Sequence, residues 1–216
     1  MRIGPKIIRK CRTCRGLIAQ PSILSGNTLH ARLWTDGKLE APMLPDRPSL
    51  VKCPHCKTLI WIGEQKQVGE VDPFASIPRA QRGGSAVSRF AGARRYLLPT
   101  ASDYFGLLTK GIANKPKRRY VHMRAWWVGN DRRRKGDSEM PMSQREIENL
   151  RQFGLLLDES DETDRLMKAE TLRESGKFAE AAVLLKHDFG ENIRKAAGTI
   201  RNLTKRRIAA VQRMRR

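Results

Sequence analysis

All four cysteines of the chain fall in two C-x-x-C pairs, Cys11-Arg12-Thr13-Cys14 and Cys53-Pro54-His55-Cys56. A two-residue spacer lets one tight turn present two thiolates together, and four thiolates at tetrahedral corners about 2.3 Å from an ion are the environment a structural zinc prefers. The expected ligand set is Cys11, Cys14, Cys53 and Cys56 around one zinc. Four protein ligands leave no open position for a water, so the expected role is structural rather than catalytic. Such an ion stands in for a core too small to fold alone. His55 reads as an exposed turn residue rather than a replacement ligand.

The elements around the pairs are short and extended. Leu17-Ile18 leaves the first pair, Leu50-Val51-Lys52 enters the second, and Leu59-Ile60-Trp61-Ile62 leaves it. Strand, knuckle, strand, twice over, is the plan of a zinc ribbon. Between the pairs, Ala31 to Ala41 carries Asp36-Gly37 between two short apolar-containing runs, a hairpin signal because the favoured two-residue turn needs positive φ. The first domain is therefore expected over 1–62, a ribbon with an inserted hairpin.

Cys-Pro-His-Cys also resembles the active motif of thiol oxidases of the thioredoxin fold, in which a helix N-terminus lowers the pKa of the first thiol. That chemistry needs a helix directly after the motif. The β-branched and aromatic run at 59–62 and the second C-x-x-C pair favour metal. The second knuckle, with Pro54 after the first thiolate, is similar to the rubredoxin-type knuckle of zinc ribbons. The stretch 6–62 resembles the amino-terminal part of a family of uncharacterised bacterial proteins through Ser25-Gly26-Asn27-Thr28, Trp34-Thr35-Asp36-Gly37-Lys38 and Ala41-Pro42-Met43-Leu44-Pro45-Asp46. The resemblance implies a zinc ribbon followed by a tetratricopeptide-like helical region, and no activity. Arg12 departs from the proline of the usual first turn, and Arg15 and Lys57 stand where a glycine is usual.

From Gly63 to Pro99 the sequence loses periodicity and is rich in Arg, Gly and Ser, which reads as a basic linker over 63–99: a phosphate-tracking arm or a solvated connector. Helical signals then follow: Ser102 as a cap with a helix to Ile112, a second over about Arg118–Gly129, and a capping box at Ser143-Gln144-Arg145-Glu146. Further helices are expected over Asp161–Ser175, Phe178–Lys186 and Asn192 to about Arg213. Ala169, Leu172, Gly176, Phe178, Ala181 and Leu184 resemble the heart of one tetratricopeptide repeat, which implies a helical hairpin over part of 100–191. The overall expectation is an α+β chain, a β-rich ribbon followed by a mainly α-helical domain, closed by a basic helix over 192–216. Trp126 and Trp127 point about 100° apart on their helix, so one at most is central to a core.

The net charge is +21, which makes a polyanion the leading partner. Residues 79–135 carry fifteen basic side chains against Asp103 and Asp131, and 192–216 carries nine against none. Candidate nucleic-acid contacts are Arg94, Arg95, Lys117, Arg118, Arg119, Arg132, Arg133, Arg134, Lys135, Lys205, Arg206 and Arg207. A run such as 132–135 is more often a solvated cluster than a site. The charges license phosphate attraction without base readout, DNA or RNA alike. A protein partner on the helical hairpins is the alternative, the oligomeric state being open. No nucleophile with its base, phosphate loop or paired-carboxylate cleft is present, so no catalytic residue is assigned. Asp158-Glu159, Asp161-Glu162 and Asp164 read as a loop at a helix end. No apolar run long enough for a secretory signal or a membrane span occurs, so a reducing cytoplasm is the expected compartment.

Overall fold

Short strands flank both cysteine pairs in the computed structural model of the chain, which describes residues 1–72, 89–136 and 140–214. In chain order the strands are β1 (Arg2–Ile3), β2 (Lys6–Lys10), β3 (Leu17–Gln20), β4 (Ile23–Ser25), β5 (Arg32–Leu33), β6 (Leu39–Glu40), β7 (Leu50–Lys52), β8 (Leu59–Trp61), β9 (Lys66–Val71) and β10 (Arg94–Arg95). The helices are α1 (Ala101–Lys110), α2 (Lys115–Arg134), α3 (Gln144–Gly154), α4 (Glu162–Glu174), α5 (Phe178–Leu184) and α6 (Glu191–Lys205). The class is α+β. Two units share the chain: Met1–Ala31 with Ala41–Pro99, and Arg32–Glu40 with Thr100–Arg216. The hairpin between the knuckles thus belongs to the helical unit and not to the ribbon that surrounds it in sequence.

In the first unit β2 pairs antiparallel with β3 across the first knuckle, Lys10 opposite Leu17, and β7 pairs with β8 across the second, Lys52 opposite Leu59. The four-stranded sheet runs β10-β3-β2-β9, with β10 parallel to β3. Its neighbouring core consists of Cys11, Ile18, Val51, Cys53, Ile60, Ile62 and Tyr96, so two of the thiols are core residues. Parts of the expected linker are therefore sheet and core. Lys66–Val71 and Arg94–Arg95 are strands, and Gly69, a breaker by sequence, makes room for the Phe90 ring, whose Cζ would lie 2.3 Å from an added Cβ. Arg79 and Arg82 of that stretch lie outside the described residues.

In the second unit each helix packs on the next, and α4 also meets α6. The capping box at Ser143 and Glu146 forms as expected. The first helix is capped by Thr100 with Asp103, one turn-setting pair earlier than Ser102. Helix α2 begins at an Asn114 cap and runs through the basic run to Arg134, beyond the expected 118–129. Ala169 and Ala181, both fully buried, let α4 and α5 approach, and Gly176 at φ 77° ends the connection. The last helix is shorter than expected. It stops at Lys205, Arg207 takes φ 55°, and the following residues run beside the hairpin: Thr35 N–H donates to Gln212 O at 2.9 Å and Met214 N–H to Leu33 O at 2.8 Å. Ile208 and Val211 continue the apolar spacing of the helix, but their segment supplies a third edge for the hairpin instead.

A sealed polar network joins these pieces. Asp36 sits in the hairpin turn, where Gly37 at φ 78° allows the reversal. Its Oδ1 accepts from Lys38 N–H at 3.1 Å, and its Oδ2 accepts from Asn130 Nδ2 at 3.0 Å and from Arg134. The Asp36 carbonyl accepts from Trp127 Nε1 at 2.9 Å. On α4, Arg173 grips Glu170 through two hydrogen bonds of 2.7 and 2.5 Å and reaches Thr35 Oγ1 at 3.4 Å and Ala210 O at 3.1 Å. Glu174 Oε2 accepts from Trp126 Nε1 at 2.7 Å and Asn130 Nδ2 at 2.9 Å. Glu174 Oε1 has no hydrogen-bond donor, and Arg173 stays 3.8 Å away. Burial, reinforced by the Glu170 and Asp36 carboxylates, pushes the Glu174 carboxyl well above its ordinary range. Burial also raises the Asp36 carboxyl against the pull of Arg134, and a neutral Glu174 removes the charge of the network that has the weakest cationic partner.

Two outcomes test this network. Asp36→Ala takes the fully buried carboxylate from Arg134 and one of its two acceptors from the Asn130 amide, and is expected to destabilise the helical unit by about 3 kcal/mol in denaturant unfolding. Because the folded state holds a proton on Glu174 that the unfolded chain has lost above pH 4.5, stability falls as pH rises from there. Glu174→Gln keeps an acceptor for Trp126 and Asn130, so its stability–pH curve should be flatter above that pH, with stability at pH 7 equal to the parent or higher.

Candidate metal centre

Each cysteine pair sits at the tip of a β-turn with the same backbone bonds. At the first, Arg15 N–H donates to Cys11 O at 2.9 Å and Cys11 N–H to Gly16 O at 3.0 Å; at the second, Lys57 N–H donates to Cys53 O at 3.0 Å and Cys53 N–H to Thr58 O at 2.9 Å. Closing such a turn demands the left-handed conformation at the residue after the second cysteine. Arg15 at φ 63° and Lys57 at φ 62° adopt it although neither is glycine. An L-residue there costs on the order of 1 kcal/mol, and in return the knuckle geometry is kept. Gly16 serves a different need from the one its position suggests: an added Cβ would lie 2.5 Å from the His55 ring. That ring is in place because His55 Nε2 bonds Leu17 O at 2.8 Å, so His55 links the knuckles and is not a ligand.

The four Sγ atoms lie within 4.8 Å of one another. Cys11 and Cys56 are 4.0 Å apart and Cys14 and Cys53 3.6 Å, far longer than a disulfide, and the cysteines are unbridged. Sulfurs about 2.3 Å from a central ion stand roughly 3.8 Å apart in a tetrahedron, so the set fits one metal ion. Among the described residues it is the one grouping of His, Cys, Asp and Glu arranged for a metal. Burial pushes the Cys53 thiol up to about 12, while the Thr58 hydroxyl, 3.4 Å from Cys56 Sγ, together with the Thr58 backbone holds Cys56 down to about 6. Two supporting residues escaped the sequence reading: Thr58, and the buried Gln65, whose Oε1 accepts from Arg12 N–H at 3.0 Å and whose Nε2 donates to Trp61 O at 3.1 Å. Thr58 offers one signal, a hydroxyl two residues past a knuckle, and Gln65, nine residues past it, offers none.

The twelve candidate cations are divided between the units. Arg94 and Arg95 lie exposed on the edge strand β10. Arg119 holds Asp164 with two hydrogen bonds, Arg133 is buried on Glu146 at 2.8 and 3.2 Å, and the Arg134 side chain is sealed against Asp36 and Asp131. Those three are taken up internally. Arg132, Lys135, Lys205, Arg206 and Arg207 are exposed, Lys117 and Arg118 half-buried at the start of α2. In the acidic run Asp161 caps α4, accepting from Asp164 N–H at 2.8 Å, and Asp158 accepts from Ser160 at 2.9 and 2.7 Å, so it is a helix-start loop. Among the described residues no helix is long and apolar enough to cross a membrane.

One metal ion per chain is the expected stoichiometry by elemental analysis, falling below about one tenth in a Cys11→Ser/Cys53→Ser double variant. Loading at pH 7.5 should release protons, that of Cys53 among them, and the number released should rise as the pH falls through about 6, where Cys56 takes up its own, measurable by calorimetry in buffers of different ionisation enthalpy.

No family model, curated protein or solved structure matches the chain. The family resemblance of the amino-terminal stretch thus has no counterpart in these comparisons; the clustered cysteines and the helical carboxy-terminal region stand on the structure alone.

Proposed function

We propose that the chain is a zinc-ribbon protein that associates with nucleic acid through sequence-independent phosphate contacts. The observation that carries this reading is the charge of the metal-bearing unit, whose sequence holds fifteen basic and four acidic residues. Four carboxylates can neutralise at most four cations, so an excess of eleven stays on a small body whatever its internal pairing. Arg12, Arg15 and Lys57 on the knuckle tips and Arg94 and Arg95 on an edge strand are exposed, where they meet a backbone of phosphates without unfolding anything. Zinc is the ion that four thiolates in a reducing compartment favour, and its closed shell gives it a supporting part: it fixes the turns that carry the cations. On the helical unit, Lys205, Arg206 and Arg207 extend the same chemistry.

A second reading, an adaptor for an acidic amphipathic partner, is favoured by one feature: a groove of about 400 Å³ between α5 and α6 with Phe178, Ala182 and Leu185 on its floor and Lys186, Arg201, Lys205 and Arg207 around it. Fluorescence anisotropy on a random duplex and a random single strand separates the two. The nucleic-acid reading expects affinity to fall by about a thousandfold between roughly 50 and 200 mM salt if some six phosphates are contacted, and the salt slope to drop by about two in Arg94→Gln/Arg95→Gln. Binding that is absent or indifferent to salt refutes it.

A further inference from the structure

Helices α1, α2 and α3 enclose a cleft of about 380 Å³, within the range of small-molecule sites, that the metal centre does not use. Phe105, Leu108 and Ile112 form its apolar wall, and Arg118 of α2 and Arg145 of α3 line it. Among the described residues neither guanidinium enters an ion pair. Arg145 lies over the Phe105 ring at 5.5 Å, which holds it at the wall. Arg118 is half-buried, and its Nε is removed from water without an acceptor. A buried donor without an acceptor is unfavourable, and an oxyanion beside Arg118 would supply one.

The other lining groups do not relieve it. Glu148, the carboxylate of the cleft, spends both oxygens on Arg151 at 2.8 and 2.7 Å and on Gln152 at 2.8 Å. His122 is buried, and its Nδ1 bonds Asn149 Oδ1 at 2.8 Å; that oxygen can only accept, so Nδ1 carries the proton and Nε2 keeps a lone pair. Burial, with Arg118 adding to it, lowers the affinity of this imidazole for a second proton. The cleft therefore offers two positive charges from two helices, a neutral imidazole and an apolar wall. Two guanidiniums match a dianion with planar, multiply accepting oxygens better than a single carboxylate.

We propose that this cleft binds a phosphate monoester carried on an apolar or aromatic group, with Arg118 and Arg145 on the phosphate and Phe105, Leu108 and Ile112 against the carried group. The proposed nucleic-acid reading rests on cations of the first unit and of the end of α6, so the two assignments are tested separately; of the twelve candidate cations, Arg118 is the one assigned to the cleft instead.

Calorimetric titration of the metal-loaded full chain with phenyl phosphate tests it, with inorganic phosphate and phenol as comparisons. Phenyl phosphate is expected to bind at least tenfold more tightly than either. Arg145→Gln, an exposed position that leaves the fold intact, and Arg118→Gln should each weaken it tenfold or more, and Lys205→Gln on α6 should leave it unchanged. No binding of phenyl phosphate, or equal binding in the parent and both arginine variants, overturns the site. Inorganic phosphate binding as tightly as the ester overturns the role of the apolar wall. An equal loss in Lys205→Gln shows general attraction to a basic chain and overturns the proposal too.

Discussion

The Asp36 carboxylate lies on a turn yet is entirely withdrawn from water, and its burial is tolerable only while Arg134 and Asn130 hold their positions. Those two sit one turn apart on α2, and Asn130 also serves Glu174 of α4. The same hairpin offers Thr35 to Arg173 and to the segment that follows α6. One short turn thereby fixes the mutual placement of two helices and the segment after α6. Hydrophobic clusters around Phe153 and Leu185 supply most of the attraction between the helices, but apolar contacts tolerate sliding. Directional bonds to a buried carboxylate do not.

In the ribbon the constraint is of another kind. The strands are two to six residues long and the apolar core is small, with two of the thiols counted among its members. Such a body buries little area of its own, and one ion held by the four sulfurs would cross-link it. The left-handed Arg15 and Lys57 show how strictly the cage is specified: the backbone accepts an unfavourable conformation twice, with charged residues, in order to keep the turn closed. Both cations are exposed.

What the sequence made legible were features settled within a few residues: the paired cysteines, the Asp36-Gly37 turn and the capping box of Ser143. Features settled by distant partners were hidden. Arg133 and Arg134 belong to a basic run that reads as a solvated cluster, and only the fold brings Glu146 and Asp36 against them. The strand Arg94–Arg95 has two charged residues and no alternation, since its place depends on an open edge of β3. Ile208 and Val211 keep helical spacing beyond Arg207 because the side chains are wanted inside, while the backbone there is wanted by the hairpin.

The pairing of Thr35 with Gln212 spans 177 positions, and that separation acquires a meaning during synthesis. At roughly 5–20 residues per second the hairpin is made on the order of 10–35 s before the segment it must pair with. Both knuckles and the strands between them are complete within the first half of that interval. The unit that carries the cysteine pairs is thus able to close while the turn carrying Asp36 still waits, tethered at both ends to a finished body, for helices that do not yet exist. A nascent chain of this design carries its own anchored template.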